Sequence, residues 1–119
     1  MYLAMNRFSV NVDRESEWEQ IWKERESYLQ EVPGFVQFML LRGAEPGDYI
    51  SYSAWEDASA FHAWTQSEAF RKGHAQGTLA GVLTGPPQLG LFEPVIEETP
   101  GARTLTDSSP NPNRRSPRH

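Results

Sequence analysis

The sequence predicts an α+β domain of the ferredoxin-like class, with a four-stranded antiparallel sheet that carries both helices on one face. The first observation is the order of the apolar periodicities, which reads β-α-β-β-α-β along the chain. The second is the length of 119 residues, which suits one domain. The third is the content of four Trp, four Tyr and six Phe, which is sufficient for one packed core.

The first strand and the first helix are predicted from alternation followed by helical spacing. Alternation over residues 2–11 predicts a strand and puts Asn6 on a largely apolar face. Asp13 is expected to cap the following helix, which Pro33 and Gly34 should end. The apolar stripe of this helix consists of Trp18, Ile21, Trp22, Leu29 and Val32.

The next two strands are predicted as a hairpin. Residues 35–41 and 49–55 are rich in aromatic and β-branched side chains, and the loop 42–48 between them contains glycine and proline. The last strand is expected over residues 88–96, with Pro94 at an edge or a strand end. Because a domain of this size has no third layer to cover its second sheet face, we expect a homodimer that packs sheet against sheet.

The second helical region, residues 57–75, contains a predicted break. Residues 65–68 are spaced as a capping box, in which Thr65 would cap a new helix. Within that helix Phe70 and His74 are four residues apart and should share a face. The segment 75–87 is long, irregular and rich in glycine, which makes it a candidate lid over a site.

Composition divides the chain into a domain at residues 1–96 and a tail at residues 97–119. The tail holds four prolines and only two apolar residues, so it cannot bury enough surface to offset its ordering entropy. We expect the tail to be disordered.

Charge and residue usage exclude several classes of function. The chain has 16 acidic and 11 basic side chains and a formal charge of −5, which argues against nucleic acid as a partner. The absence of cysteine excludes disulfides, thiolate metal sites and a cysteine nucleophile. No apolar run is long enough for a membrane span and no secretion signal is visible, so a cytoplasmic protein is expected.

Three polar side chains stand out as candidate site residues. Asn6 lies on an inward strand face, where its amide needs a polar partner or a ligand. Arg25 falls beside the stripe of the first helix, and either snorkelling or recognition of a carboxylate would account for it. His74 is either a hydrogen-bonded structural histidine or a ligand.

Three segments of the chain resemble the IsdG-type heme-degrading monooxygenases, and the resemblance covers residues 1 to about 96. These enzymes belong to the dimeric α+β barrel superfamily, together with the antibiotic-biosynthesis monooxygenases. The segments are Met5-Asn6-Arg7-Phe8, Trp55-Glu56-Asp57 and the stretch from Phe61 to His74. The resemblance implies that Asn6 donates a hydrogen bond beside heme, that Trp64 presses on the porphyrin, and that His74 is the axial ligand of the iron.

The resemblance also implies heme as both cofactor and substrate, with an external electron donor such as a reductase. The heme-binding residues that it implies are Phe8, Arg25, Phe70 and His74, with Arg25 and Lys23 as candidates for the propionates. Oxidative opening of the porphyrin would release iron. Two alternatives stay open: a heme-free monooxygenase of the same superfamily that acts on an aromatic or quinone-forming substrate, and a heme-binding module without turnover.

Overall fold

Four strands form one antiparallel sheet, and three helices lie on one face of it. The structure, a computed structural model, describes residues 1–74 and 81–105, and the described side chains of the last helix end at Lys72. The strands of the sheet are β1 (Tyr2–Ser9), β2 (Phe35–Arg42), β3 (Asp48–Trp55) and β4 (Gln88–Phe92). The helices are α1 (Glu15–Glu24), α2 (Ala58–Thr65) and α3 (Glu68–His74).

The sheet order β2-β3-β1-β4 confirms the predicted ferredoxin-like class. Both central strands are antiparallel to their neighbours, and Asn6 on β1 lies opposite Ser51 on β3 and Leu89 on β4. Because side chains alternate between the two faces of a strand, Asn6 points to the same side as the buried Ala4 and Phe8. The predicted orientation of Asn6 is therefore confirmed.

The core between the sheet and the helices is divided into two clusters. The first cluster, under α1, consists of Phe8, Val10, Trp18, Tyr49 and Val82. The second cluster, under α2, consists of Ala4, Leu29, Trp55 and Phe61. Since Asn6 comes between Ala4 and Phe8 on β1, it lies where the two clusters part.

The first helix is shorter than its apolar spacing predicts. α1 ends at Glu24, and Arg25 takes up an extended backbone, with φ −71° and ψ 132°. In the segment that follows, the Ser27 hydroxyl accepts a hydrogen bond from the Leu29 amide at 3.3 Å, which offers the backbone an alternative to the helix. Leu29 is nevertheless buried in the second cluster. The apolar spacing therefore predicted correctly that this side chain is buried, but not that it lies in a helix.

The predicted caps are also corrected by the structure. Asp13 lies inside a short 3-10 turn, where its amide donates to the Asn11 side chain at 3.1 Å, so Asn11 serves as the cap. The break between α2 and α3 is confirmed, but Ser67 accepts from the Phe70 amide at 3.2 Å. Thr65 is still part of α2 and donates to a carbonyl within that helix.

The candidate lid falls partly outside the described residues, which omit 75–80. The described remainder packs onto the end of β1, since Val82 is 2% exposed and its carbonyl accepts from the Asn11 amide at 2.7 Å. Leu83 forms a single bridge with Val10. Val82 and Leu83 therefore pack in the first core cluster and not over the site.

The C-terminal part differs from the predicted strand and tail. β4 ends at Phe92, and a separate hairpin follows, formed by β5 (Ile96–Thr99) and β6 (Ala102–Leu105). Gly101 allows the turn with a φ of +81°, and Arg103 pairs with Glu98 at 2.7 Å. All strand residues of the hairpin are exposed, and residues 106–119 lie outside the described part.

The outer face of the sheet, which points away from the helices, is largely apolar. The register puts Leu3, Met5, Met39, Leu41, Ile50 and Tyr52 on this face. Met39 is 37% exposed and Leu41 is 39% exposed, so one chain leaves this face open to solvent. Within residues 1–74 and 81–105, no helix has the length and apolar character to cross a membrane.

Candidate functional site

A cavity of about 480 Å³ lies between the helices and the inner face of the sheet. Pockets for small molecules and cofactors span roughly 300–1,000 Å³. The floor of the cavity is formed by Ala4, Asn6, Phe38, Ser51, Ser53 and Leu89 from all four strands. Its walls include Trp22 and Arg25 on one side and Phe61, Trp64 and Phe70 on the other.

The cavity exists because small side chains occupy the middle of the floor. Along the inner face of β3 the residues are Tyr49, Ser51, Ser53 and Trp55, so two small side chains separate two large ones. Tyr49 is 1% exposed and Trp55 is fully buried, and they belong to the two different core clusters. The gap between the clusters is therefore encoded by the side-chain volumes along one strand.

The amide of Asn6 is the polar group at the centre of this floor. Its Oδ1 is buried and accepts no hydrogen bond from any residue that the structure describes. A buried acceptor without a donor destabilises a protein by about 1–3 kcal/mol. A ligand or a bound water that donates to Oδ1 would remove this penalty, which makes the cavity a candidate binding site.

Trp64 forms the wall on the α2 side. Its indole lies 5.0 Å from the ring of Trp55 and meets the ring of Phe70 edge-on at 4.9 Å and 85°. Phe61, at 6.1 Å, supports it within the same helix. A large side chain held by three aromatic neighbours is a rigid surface for an apolar ligand.

Trp22 forms the opposite wall, and the sequence analysis placed it only in the apolar stripe of the first helix. Its ring stacks on Phe38 at 5.8 Å and 16°, and the guanidinium of Arg25 lies 4.7 Å from its centre. Its Nε1 is buried with no acceptor among the described residues. The spacing of Trp22 and Arg25, three apart near a helix end, is a signal that favours a shared wall.

Arg25 brings a positive charge to the edge of the cavity. Burial lowers the pKa of its guanidinium, which still remains protonated because arginine does not lose its proton in proteins. The other predicted cation, Lys23, is exposed and does not line the cavity.

Four of the six predicted site residues meet at the cavity: Asn6, Arg25, Trp64 and Phe70. Phe8 does not, because it packs in the first core cluster with its ring 4.9 Å from that of Trp18. α3 ends at His74, one turn after Phe70, but the side chain of His74 lies outside the described part.

Solved structures with the same fold include a heme-degrader and a cofactor-independent oxygenase. The heme-degrader MhuD from Mycobacterium tuberculosis, with two hemes bound in its active site, is 28% identical with a TM-score of 0.68. The alignment covers 83% of this chain and 100% of that chain. SnoaB, a cofactor-independent oxygenase from Streptomyces nogalater, is 24% identical with a TM-score of 0.61, over 85% of this chain and 97% of that chain.

A third structure, a putative antibiotic biosynthesis monooxygenase from Nitrosomonas europaea, has a TM-score of 0.64 and 17% identity. The alignment covers 80% of this chain and 99% of that chain. At identities below 25%, this structure and SnoaB show the fold alone. Residues 1–76 match the family described as antibiotic biosynthesis monooxygenase, and this match spans more than half of the chain. The chain therefore belongs to the antibiotic biosynthesis monooxygenase family.

Proposed function

We propose that this member of the family is a heme-degrading monooxygenase, which binds heme in the cavity and opens the porphyrin oxidatively to release iron. The observation that carries the proposal is the buried Oδ1 of Asn6, which has no donor among the described residues, on the floor of a cavity with indole walls. The likeness to MhuD, a heme-degrader of the same fold, supports it.

The residues of the cavity fit heme in their chemistry. A porphyrin is a flat and mainly apolar ring, and Trp22 and Trp64 offer it aromatic surfaces on two sides. Its propionates are carboxylates, for which the guanidinium of Arg25 is a suitable partner. Asn6 would then lie beneath the ring as a polar group that cannot titrate.

His74 is the proposed ligand of the heme iron. Neutral imidazole is a common axial ligand in heme proteins. α3 carries His74 one turn after Phe70, which lines the cavity, and residues four apart lie on the same face of a helix. This register supports the assignment.

Bound heme would supply the oxidative chemistry and also the carbon that is oxidised, with electrons from an external donor such as a reductase. The chain would contribute position and polarity. Trp64, held by its aromatic neighbours, fixes the orientation of the ring and keeps water from its face. Asn6 offers a hydrogen-bond donor and an acceptor at one point of the cavity without exchanging a proton.

The proposal includes a homodimer that acts in the cytoplasm. Two outer sheet faces packed against each other would cover Met39 and Leu41, which are more than a third exposed in the single chain. Sheets that pack face to face in this way bury apolar side chains in a layer about 10 Å thick. The helices and the cavity would remain on the outside of the dimer.

A heme-free monooxygenase is the second candidate. An aromatic-walled cavity with a polar floor also suits a polycyclic phenol that forms a quinone, and SnoaB, of the same fold, is a cofactor-independent oxygenase. A heme-binding module without turnover is the third.

A hemin titration separates these candidates. We expect a saturable Soret band at one heme per chain, which His74→Ala abolishes because it removes the proposed iron ligand. His62→Ala is the matched control, since His62 is exposed on α2 and does not line the cavity. Absence of a Soret band in the unmodified protein would exclude the heme proposal.

Turnover is tested next, with ascorbate and air added to the hemin complex. We expect loss of the Soret band together with release of iron, and a persistent band would indicate a binding module. Asn6→Ala and Trp64→Ala should still bind hemin but should degrade it at least about ten-fold more slowly. Loss of one preorganised polar group reduces rates by about 10²–10³ in well-studied enzymes, and loss of Trp64 removes the surface that orients the ring. Rates equal to those of the unmodified protein would remove both residues from the mechanism.

A further inference from the structure

The two serines on the cavity floor differ in what their hydroxyl groups do. Ser53 accepts a hydrogen bond from Nε1 of the buried Trp55 at 3.0 Å, so its hydroxyl has a structural role. Ser51 lies two residues earlier on the same face of β3. Among the residues that the structure describes, no side chain or backbone group is hydrogen-bonded to the Ser51 hydroxyl.

Space alone does not account for a serine at position 51. The floor needs small side chains, but Ala4 on the neighbouring strand meets that need without a hydroxyl. A hydroxyl that faces a mostly apolar cavity loses hydrogen bonds to water and gains nothing from the fold. The hydroxyl of Ser51 is therefore better explained by a ligand than by folding.

Ser51 is also placed next to Asn6, whose Oδ1 is the buried atom of the floor that has no donor among the described residues. It lies directly opposite Asn6 in the antiparallel pairing of β1 and β3, and both residues line the cavity. Opposite residues on one face of such a pair have Cβ atoms about 4.5–5.5 Å apart. The two side chains therefore present an amide and a hydroxyl side by side, and the Ser51 hydroxyl does not donate to Oδ1 of Asn6.

We propose that Ser51 is a ligand-binding residue which, together with Asn6, holds one hydrogen-bonding oxygen or anionic group inside the cavity. The hydroxyl and the amide N–H both donate, so they suit an acceptor, and Oδ1 of Asn6 accepts from the same group if it carries a proton. The inference rests on the proposed function for the identity of the main ligand, heme. It adds a second polar contact, made by the Ser51 hydroxyl, which selects the small ligand that binds in the cavity beside the heme ring.

Azide affinity of the hemin-loaded protein is the test, because azide is a small anion that accepts hydrogen bonds. Ser51→Ala is expected to weaken azide binding about three- to ten-fold, the change that loss of one hydrogen bond produces. Threonine and valine side chains have the same shape, but only threonine has a hydroxyl. Ser51→Thr should therefore retain azide affinity, and Ser51→Val should lose it. A double-mutant cycle of Ser51→Ala with Asn6→Ala should give non-additive losses, since both residues contact one group.

Ser53→Ala is the control for a structural effect. It should lower the melting temperature, because it leaves the Trp55 indole without its acceptor. Ser16→Ala, at an exposed position of α1 that does not line the cavity, should leave azide affinity within about twofold. Ser51→Ala should melt close to the unmodified protein. Equal azide affinity in Ser51→Ala and the unmodified protein, or in the Thr and Val variants, would overturn the inference.

The role of Ser51 can also be tested without heme. If the unmodified protein shows no Soret band, the same variants are titrated with 1-naphthol, and binding is followed by quenching of tryptophan fluorescence. The hydroxyl of the naphthol then replaces azide as the group held by the floor. Unchanged naphthol affinity in Ser51→Ala would overturn the inference, and weakened affinity would support it without heme.

Discussion

The buried Trp55 and the partly buried Trp22 both place an indole N–H group in the interior, but only one of these groups has a hydrogen-bond acceptor. Trp55 Nε1 donates to Ser53 at 3.0 Å, whereas Trp22 Nε1 has no acceptor among the described residues. An unsatisfied buried donor reduces stability, and a satisfied one contributes about 0.5–1.5 kcal/mol. The two sites therefore respond differently to the loss of the N–H group.

Replacing each tryptophan by phenylalanine tests this difference. We expect Trp22→Phe to destabilise the apoprotein by about 1 kcal/mol less than Trp55→Phe, because only the second substitution breaks a hydrogen bond. Urea unfolding followed by far-UV circular dichroism measures both. Equal losses would show that the Trp22 N–H has a partner in solution.

For single residues, the sequence predicts the orientation of side chains that follow a regular alternation along a strand. Asn6 could be placed inside because its strand alternates regularly, whereas Trp64 became a candidate only through the resemblance to a known family. The role of Trp22 was missed, since its contact with the cavity depends on where α1 lies over the sheet. Phe8 shows the opposite case, in which an inward residue beside Asn6 belongs to the core.

The helix α1 is tied to the sheet by a polar cluster as well as by apolar contacts. Glu19 accepts from Arg42 on β2 at 2.5 and 2.8 Å and from the Tyr49 hydroxyl on β3 at 2.5 Å. These hydrogen bonds, chiefly that from Arg42, lower the pKa of Glu19 to about 2. The Glu19 side chain is only 18% exposed, but that of Arg42 is 67% exposed, so solvent screens this pair from the Arg42 side.

A pH series measures the contribution of this cluster. The pKa of Glu19 is lower in the folded chain than in the unfolded chain, so its stabilisation is present above about pH 4.5 and is lost as pH falls toward about 2. Glu19→Gln should therefore be less stable than the unmodified protein at pH 7, and the difference should shrink between pH 5 and pH 2.5. Urea unfolding at each pH supplies the values, and a difference independent of pH would contradict the assignment.

The ends of elements were the least predictable from sequence. α1 was expected to reach Val32 because Leu29 and Val32 continue its spacing, yet both lie in an irregular segment that folds back onto the core. Spacing records which side chains are buried, and a loop can bury them as well as a helix. The break after α2 was predictable because it depends on local polar residues, although Ser67 is the cap.

For the whole molecule, the order of elements was sufficient to predict the sheet and its helix-covered face. The exposed hairpin of β5 and β6 was missed because the composition of residues 97–119 indicates disorder. Its turn at Pro100 and Gly101 was visible as a local signal. Over residues 96–105, the turn residues therefore predict the observed structure better than the average composition of the tail does.

The proposed dimer is testable by adding a charge to the outer sheet face. A single chain has a mass of 13.5 kDa, and we expect the unmodified protein to elute with about twice that mass in light scattering. Leu41→Glu should give a monomer, because a carboxylate would be buried between the two sheets. Ser16→Glu adds the same charge on exposed α1 and should remain dimeric, and a monomeric unmodified protein would refute the dimer.

The division of the core into two clusters links ligand occupancy to folding. Without a ligand, the side chains that border the gap have fewer neighbours than a continuous interior would give them. Any molecule that occupies the gap stabilises the native state by mass action, by about 2.7 kcal/mol at a hundred times its dissociation constant. The empty chain should therefore be the form most readily digested by proteases, so the cellular abundance of this protein would follow the supply of its ligand.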